Sequence, residues 1–302
     1  MKKMSKPTNP YTNKIPVVFF GSGPVAMASL EFILQNFLVE AVITKPATEA
    51  EMAELAANIP VYSVQDAAEL DALVITQLFR SQLGILVDFG VIVSKKVIDY
   101  FPLGIVNSHF SLLPEWRGAD PITFSILSGQ SKTGVSLMLI DEKMDRGKLI
   151  GQKSLAIDPK QTTPGLTEKL VVLSNDMLAD YAPRYAEGKF KPHAQPHPTR
   201  ATYSRKLTKQ DGKVDWKKPA EIIEREIRAY VDWPKSSTTL AKKEVIILEA
   251  HIIKDEGEPG TSEVKDKKLI VHTAKDSLVI DRLKPNGKNE MSGAEFIRGY
   301  MR

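Results

Sequence analysis

Three residues in the middle of the sequence have types and spacing suited to one kind of chemistry: Asn107, His109 and Asp145. Asn107 and His109 stand two apart behind Ile105-Val106, a β-branched run that reads as the end of a buried parallel strand. Alternation along a strand sends that amide and that imidazole to the same side. The strand has to stop there, because Leu112-Leu113-Pro114 cannot continue a central strand. Ligands of open α/β sheets gather at the carboxyl ends of strands. A second strand-like run, from Gly134 to Ile140, leads into Asp141-Glu142-Lys143-Met144-Asp145-Arg146-Gly147, a polar turn able to return a carboxylate to the same rim. Asn donates to a developing oxyanion, His exchanges a proton near neutral pH, and Asp sets the state of that His. Together they suit acyl transfer to an amine. Taken singly, each also has a structural reading: Asn107 as a turn cap, His109 as a satisfied core histidine, Asp145 as a solvated turn residue.

The elements that must hold these residues follow an alternating pattern. Ile15 to Phe20 reads as a first strand, and Gly21-Ser22-Gly23-Pro24-Val25-Ala26 follows it into a helix from Met27 to Phe37. That spelling imitates a dinucleotide fingerprint, which also wants an acid at the end of the second strand. The second strand, Val39 to Thr44, ends in Thr44-Lys45, so the glycines read as a tight strand-to-helix turn. A helix over Glu49 to Ala57, a short strand at Val61-Tyr62, a strong strand from Leu83 and a helix over Lys95 to Tyr100 lead into the central stretch. A helix over Pro121 to Ser128 and a long helical pattern within residues 161–187 continue the series. The fold class is therefore α/β, with a Rossmann-like, mostly parallel sheet over residues 15–187 and helices on both faces. Residues 1–14 are expected to form a disordered tail.

The texture changes at Gly188. Residues 188–204 hold Pro192, Pro196 and Pro198 and read as a basic, semi-rigid linker. Residues 186–218 carry nine lysines and arginines against three acids, a surplus that suits a phosphate backbone or a solvated linker. His193 and His197 are kept off a helix by prolines and have no adjacent acid or cysteine, so no zinc site is expected. An amphipathic helix over Ala220 to Tyr230 precedes strands at Val245–Ile253, Leu269–Thr273 and Ser277–Leu283, a spacing that predicts a small β-barrel within residues 205–302. Ser292 caps a last helix, Ala294 to Tyr300.

Composition narrows the classes. The chain has no cysteine, which excludes disulfides, thiol catalysis and cysteine-ligated zinc. No apolar h-region follows the N-terminal lysines and no run approaches membrane-spanning length, so a cytoplasmic protein without membrane contact is expected.

Asn-x-His followed by Ser-Leu-Leu-Pro-x-x-Arg-Gly over residues 107–118, with a later Asp-x-Gly at 145–147, resembles the signature of the 10-formyltetrahydrofolate-dependent formyltransferases. The resemblance runs from about Lys14 to the C-terminus. Thr202-Tyr203-Ser204-Arg205-Lys206-Leu207, Asp215-Trp216, Ile227-Arg228-Ala229 and Trp233-Pro234 are similar to the second domain of the branch that formylates methionyl-tRNA. The resemblance implies a Rossmann-like catalytic domain, then an OB-like barrel. It implies transfer of a formyl group from 10-formyltetrahydrofolate to the α-amine of methionine on initiator tRNA, by a monomer that needs no metal. Asn107 and His109 would stabilise the oxyanion and assist the proton, with Asp145 holding the imidazole or an intervening water. Ser111, Leu112, Leu113 and Pro114 would lie beside the folate, and the backbone of residues 91–93 would cradle its pterin edge. Arg117 would meet a phosphate or the folate glutamate, or pair with Glu115. Competing readings are a formyltransferase acting on an amino-sugar nucleotide, a 10-formyltetrahydrofolate hydrolase and an inactive RNA-binding module; the intact Asn-His-Asp set argues against the last. One departure stands out. Members of the tRNA branch usually carry a long basic loop after the second strand, whereas this chain passes from Thr44-Lys45-Pro46 into a short segment bearing Glu49, Glu51 and Glu54.

Overall fold

The computed structural model describes residues 14–301, so all but Lys14 of the expected tail lies outside the described residues. Residues 14–301 form two compact units, the first built from residues 14–117, 134–154 and 170–201, and the second from residues 118–133, 155–169 and 202–301.

The first unit is organised on β1 (Pro16–Phe20), whose Val17, Val18, Phe19 and Phe20 are wholly buried. Such an unbroken apolar run is what a parallel strand covered on both faces requires. β2 (Leu38–Thr44) pairs with β1 on one side and β3 (Val61–Ser63) lies beyond it. On the other side come β4 (Leu83–Leu86) and β5 (Ile105–His109). All four pairings are parallel, and the crossovers are α1 (Pro24–Asn36), α2 (Glu49–Ala56), α3 (Ala67–Gln77) and α4 (Lys95–Tyr100). Asp66 caps α3 by accepting from the Ala68 and Glu69 N–H groups, and Ser94 caps α4. A two-residue strand, β6 (Arg117–Gly118), and α5 (Pro121–Leu127) precede β7 (Lys132–Leu139), which pairs with β5 in the antiparallel sense. β8 (Leu149–Ala156) completes the sheet in the order β3-β2-β1-β4-β5-β7-β8, and α6 (Thr163–Ala186) follows. The mostly parallel sheet expected from the sequence is therefore present, with its antiparallel turn just where the candidate residues lie.

Residues beyond α6 do more than connect. Phe190 packs its ring against Tyr181 and Tyr185, and His193 exchanges two backbone hydrogen bonds with Leu149, at 2.8 and 3.0 Å, along β8.

The second unit starts its long segment with β9 (Tyr203–Ser204) and contains α7 (Ala220–Ala229). β10 (Ser236–Leu240), β11 (Lys243–Ile253), β12 (Ser262–Lys265), β13 (Lys268–His272), β14 (Ser277–Pro285) and β15 (Met291–Ser292) form a six-stranded sheet whose paired strands are antiparallel. The path runs β10-β11-β14-β13-β12, with β15 on β14, and no ladder among the described residues closes β12 onto β10. Ile223 and Ile227 of α7, Val245, Ile247, Leu269, Val271 and Ile280 of the sheet, and Phe296 of α8 (Gly293–Tyr300) share one core. The apolar face of α7 read from the sequence is the face that packs there.

Candidate active site

β5 delivers its residues as alternation demands. Ser108 turns to the opposite face and shares a 2.6 Å hydrogen bond with Ser174 of α6. Asn107 is half-buried, next to Leu86 of β4 and Met138 of β7, and its side-chain amide makes no hydrogen bond among the described residues. His109 is buried, and its Nε2 lies 3.0 Å from the Trp116 carbonyl. A carbonyl only accepts, so Nε2–H donates and Nδ1 is left unprotonated in the neutral ring. Nδ1 faces Asp145 Oδ1 at 3.8 Å, an electrostatic contact beyond hydrogen-bond length. Burial pushes the imidazole below its ordinary pKa; the Asp145 carboxylate and the Trp116 carbonyl pull it up, and the Arg117 charge pushes it down again. The ring is thus neutral at neutral pH, with a carboxylate placed to stabilise it once it takes a proton.

Asp145 arrives by a less direct route than the sequence suggests. Because β7 is antiparallel, its last residue, Leu139, lies beside Val106 rather than beside His109. The loop 140–147 therefore doubles back, closed by the Leu139 N–H donating to Lys148 O at 2.9 Å. Asp145 makes the return in the left-handed region, at φ 52, and Gly147 approaches the Leu139 carbonyl so closely that any Cβ there would collide. Gln195 donates Nε2 to the Asp145 and Gly147 carbonyls at 2.8 and 3.0 Å, and accepts from Arg117 Nη2 at 2.7 Å.

The loop after β5 is fixed from within. Ser136 Oγ of β7 donates to the Ser111 carbonyl at 2.6 Å and accepts from the Leu113 N–H at 2.9 Å. Gln152 Nε2 adds bonds to the Leu113 carbonyl and to Ser136 Oγ, at 2.9 and 2.8 Å. Ser111 spends its hydroxyl on the Glu115 carbonyl, and Leu113–Pro114 is a cis peptide. Of the four residues expected beside a folate, Ser111, Leu113 and Pro114 are buried and Leu112 is half-buried. On the loop after β4, Val91 is buried while Ile92 is 78% exposed. Arg117 is buried within the same network through Gln195.

The structure thus gathers Asn107, His109 and Asp145. It adds Ser136, Gln152 and Gln195, which the sequence did not single out. The glycine turn after β1 is a different matter: Ser22 and Gly23 both donate their N–H groups to the Asp88 carbonyl, at 2.9 and 3.1 Å. Those donors, which a pyrophosphate would need, are used by the chain itself. Among the described residues no three His, Asp or Glu side chains group as metal ligands, and no helix is long and apolar enough to cross a membrane.

Comparison with known proteins matches residues 14–180 to the formyl transferase family and residues 206–301 to the formyl transferase C-terminal domain. The methionyl-tRNA formyltransferase of Roseiflexus castenholzii is 34% identical over 299 residues, spanning 94% of this chain and 95% of that one. The methionyl-tRNA formyltransferase of Myxococcus xanthus is 32% identical over 296 residues, spanning 94% and 95%. Among solved structures, the N-formyltransferase from Helicobacter canadensis, in complex with folinic acid and dTDP-3-aminofucose, has a TM-score of 0.68 at 20% identity over 88% of this chain and 98% of that one. At that identity the likeness is one of fold.

Proposed function

For a chain that belongs to the formyl transferase family, we propose transfer of a formyl group from 10-formyltetrahydrofolate to the α-amine of methionine esterified to initiator tRNA. The observation that carries the reading is a free amide two residues from a buried, neutral imidazole that a carboxylate faces at 3.8 Å. The folate supplies an activated formyl group. The amine nitrogen bonds to the formyl carbon, the bond from that carbon to the folate nitrogen breaks, and the proton lost by the amine ends on the folate nitrogen. Asn107 donates its N–H to the formyl oxygen as negative charge develops there. His109 relays the proton, and Asp145 stabilises the imidazolium in transit. Leu112 and Ile92, apolar and at least partly exposed on the loops after the adjacent strands β5 and β4, offer surface for the folate rings, with the backbone of residues 91–93 between polar edges.

The acceptor follows from the relatives, which are named for methionyl-tRNA and match along almost the whole length. The segment after β2 adds a qualification. It folds as a short 3₁₀ turn, Pro46–Thr48, and then α2, with Glu51 and Glu54 exposed and Glu49 accepting from Ser63. Carboxylates repel a phosphate backbone, so this segment does not grip the acceptor end, and the discrimination of initiator from elongator tRNA is relaxed. On this reading the enzyme works as a monomer in the cytoplasm, where charged tRNA is made.

The test is product identity. Purified protein with 10-formyltetrahydrofolate is offered charged initiator tRNA, charged elongator methionyl-tRNA, an amino-sugar nucleotide, or water alone, and products are read by mass spectrometry. Formyl-methionyl-tRNA from both tRNAs, at similar kcat/KM, supports the reading. A formylated sugar alone, or free formate alone, replaces it with one of the competing reactions.

A further inference from the structure

Gln195 has no acid, base or nucleophile to offer, yet it is 7% exposed and spends its amide on the loop that carries Asp145. A left-handed aspartate persists only where its surroundings hold it. Here the carbonyl of that aspartate and the carbonyl two residues on are both tied by one Nε2 group, at 2.8 and 3.0 Å. The other end of the amide is fixed by Arg117 Nη2 at 2.7 Å, and the backbone beside it by the exchange between His193 and Leu149. Every polar atom of the Gln195 side chain is therefore used, and used on two segments that flank His109.

Resting on the function proposed above, we infer that Gln195, anchored by Arg117, is a positioning residue that holds the Asp145 turn so that its carboxylate stays facing His109 Nδ1. Losing the two donors frees the turn to leave the left-handed region, and a reacting group misplaced by about an ångström costs up to about a hundredfold in rate. The simpler alternative is that Gln195 only pins residues 193–195 to the fold. It would then contribute stability and leave the surroundings of the imidazole alone.

Gln195→Met keeps the length of the side chain and removes donor and acceptor together. The groups facing the imidazole are Asp145, Arg117 and the Trp116 carbonyl. The experiment therefore compares wild type, Gln195→Met, Asp145→Asn and the double variant. The expected result is a fall in kcat of about tenfold to a hundredfold with KM for the formyl donor unchanged. The NMR titration midpoint of His109, followed without any substrate, should drop in Gln195→Met and in Asp145→Asn alike. In the Asp145→Asn background, Gln195→Met should add less than about a twofold loss and no further shift, because the pair acts as a unit. Losses that multiply, a His109 midpoint that rises or stays put, or a shift that persists in the Asp145→Asn background would each overturn the inference. Should Gln195→Met fail to fold, Gln195→Glu keeps an acceptor for Arg117, lacks the donor, and carries the same kinetic cycle. Failure of the proposed function would show separately, as wild-type protein yielding no formyl-methionyl-tRNA while the midpoint shift stands.

Discussion

Two turns end two parallel strands of one sheet and treat their polar groups in opposite ways. After β1, the Ser22 and Gly23 N–H groups both go to the Asp88 carbonyl, and Ser22 Oγ accepts from the Gly90 N–H at 3.0 Å. In the last residues of β5, the Asn107 amide has no partner among the described residues, and His109 Nδ1 keeps its lone pair beside a carboxylate. The first turn is spelled like a nucleotide site, yet it spends the N–H groups of Ser22 and Gly23 on the chain itself. The second is spelled without glycines and holds its donor in reserve. A half-buried donor with no internal partner at the end of a central strand stands open to a ligand, which the N–H groups of Ser22 and Gly23 do not.

The largest effect should come from breaking the second turn. Asn107→Ala is expected to lower kcat by about 10²–10³-fold, equivalent to about 2.7–4 kcal/mol, with little change in Tm because no internal bond is lost. Retained activity with a lower Tm would reverse the comparison. The first turn should break in the other currency. A Cβ on Gly23 would collide with the Asp88 carboxylate, so Gly23→Ala should cost about 1–3 kcal/mol of stability in a denaturant titration. The same variant, once folded, should keep its rate on the formyl acceptor.

A pH profile sharpens the contrast. The His109 pKa is lowered in the folded state, chiefly by burial, so the imidazole is neutral until the pH falls below its ordinary value of about 6.5. The acid limb of kcat should therefore lie below about 6.5. The unfolded chain binds this proton first, so the stability contributed by His109 is complete above the unfolded pKa and is lost as pH falls through the folded one. Asp145→Asn removes an influence that raises the pKa and should move the limb to still lower pH. A limb above the ordinary histidine value would mean that Asp145 outweighs burial.

The smallest effect concerns cations. Arg205 is spent on Asp211, whereas Lys206, Lys209 and Lys213 are exposed and carry no ion pair among the described residues. Replacing the three lysines by alanine should flatten the salt dependence of tRNA binding by about 0.7–0.9 in log–log slope for each phosphate contact removed. Arg205→Ala should cost stability first, and an unchanged slope in the triple variant would class those lysines with the solvated surface.

The sequence was legible where a pattern had one physical cause. Ile105-Val106 marked a buried strand, although they open β5 and do not end it, since the pairing continues through Asn107 and Ser108 to His109, and the periodicity of Ile223 and Ile227 marked a packed face. α3 went unread although Asp66 caps it and Leu70 and Val74 are buried four apart, because alanines dilute the apolar stripe. β8 and β10 went unread because Gln152, Lys153, Ser237 and Thr238 are polar residues on sheet positions, where pairing rather than burial fixes the backbone. Asp145 was found but its path was not, since nothing local reveals that β7 runs antiparallel. Gln195 had no signal at all: a glutamine between prolines says nothing about a carbonyl fifty residues earlier.

That separation sets an order of assembly. A chain made from its N-terminus lays down β5, and with it Asn107 and His109, long before the residues that tie the loop 140–147 have left the ribosome. The strand that holds the amide and the imidazole can form early, but the carboxylate is secured only when residues 193–195 fold back along β8. On stalled nascent chains of increasing length, the amides of residues 140–147 should gain protection only once residues 193–195 have emerged, after those of β1, β4 and β5.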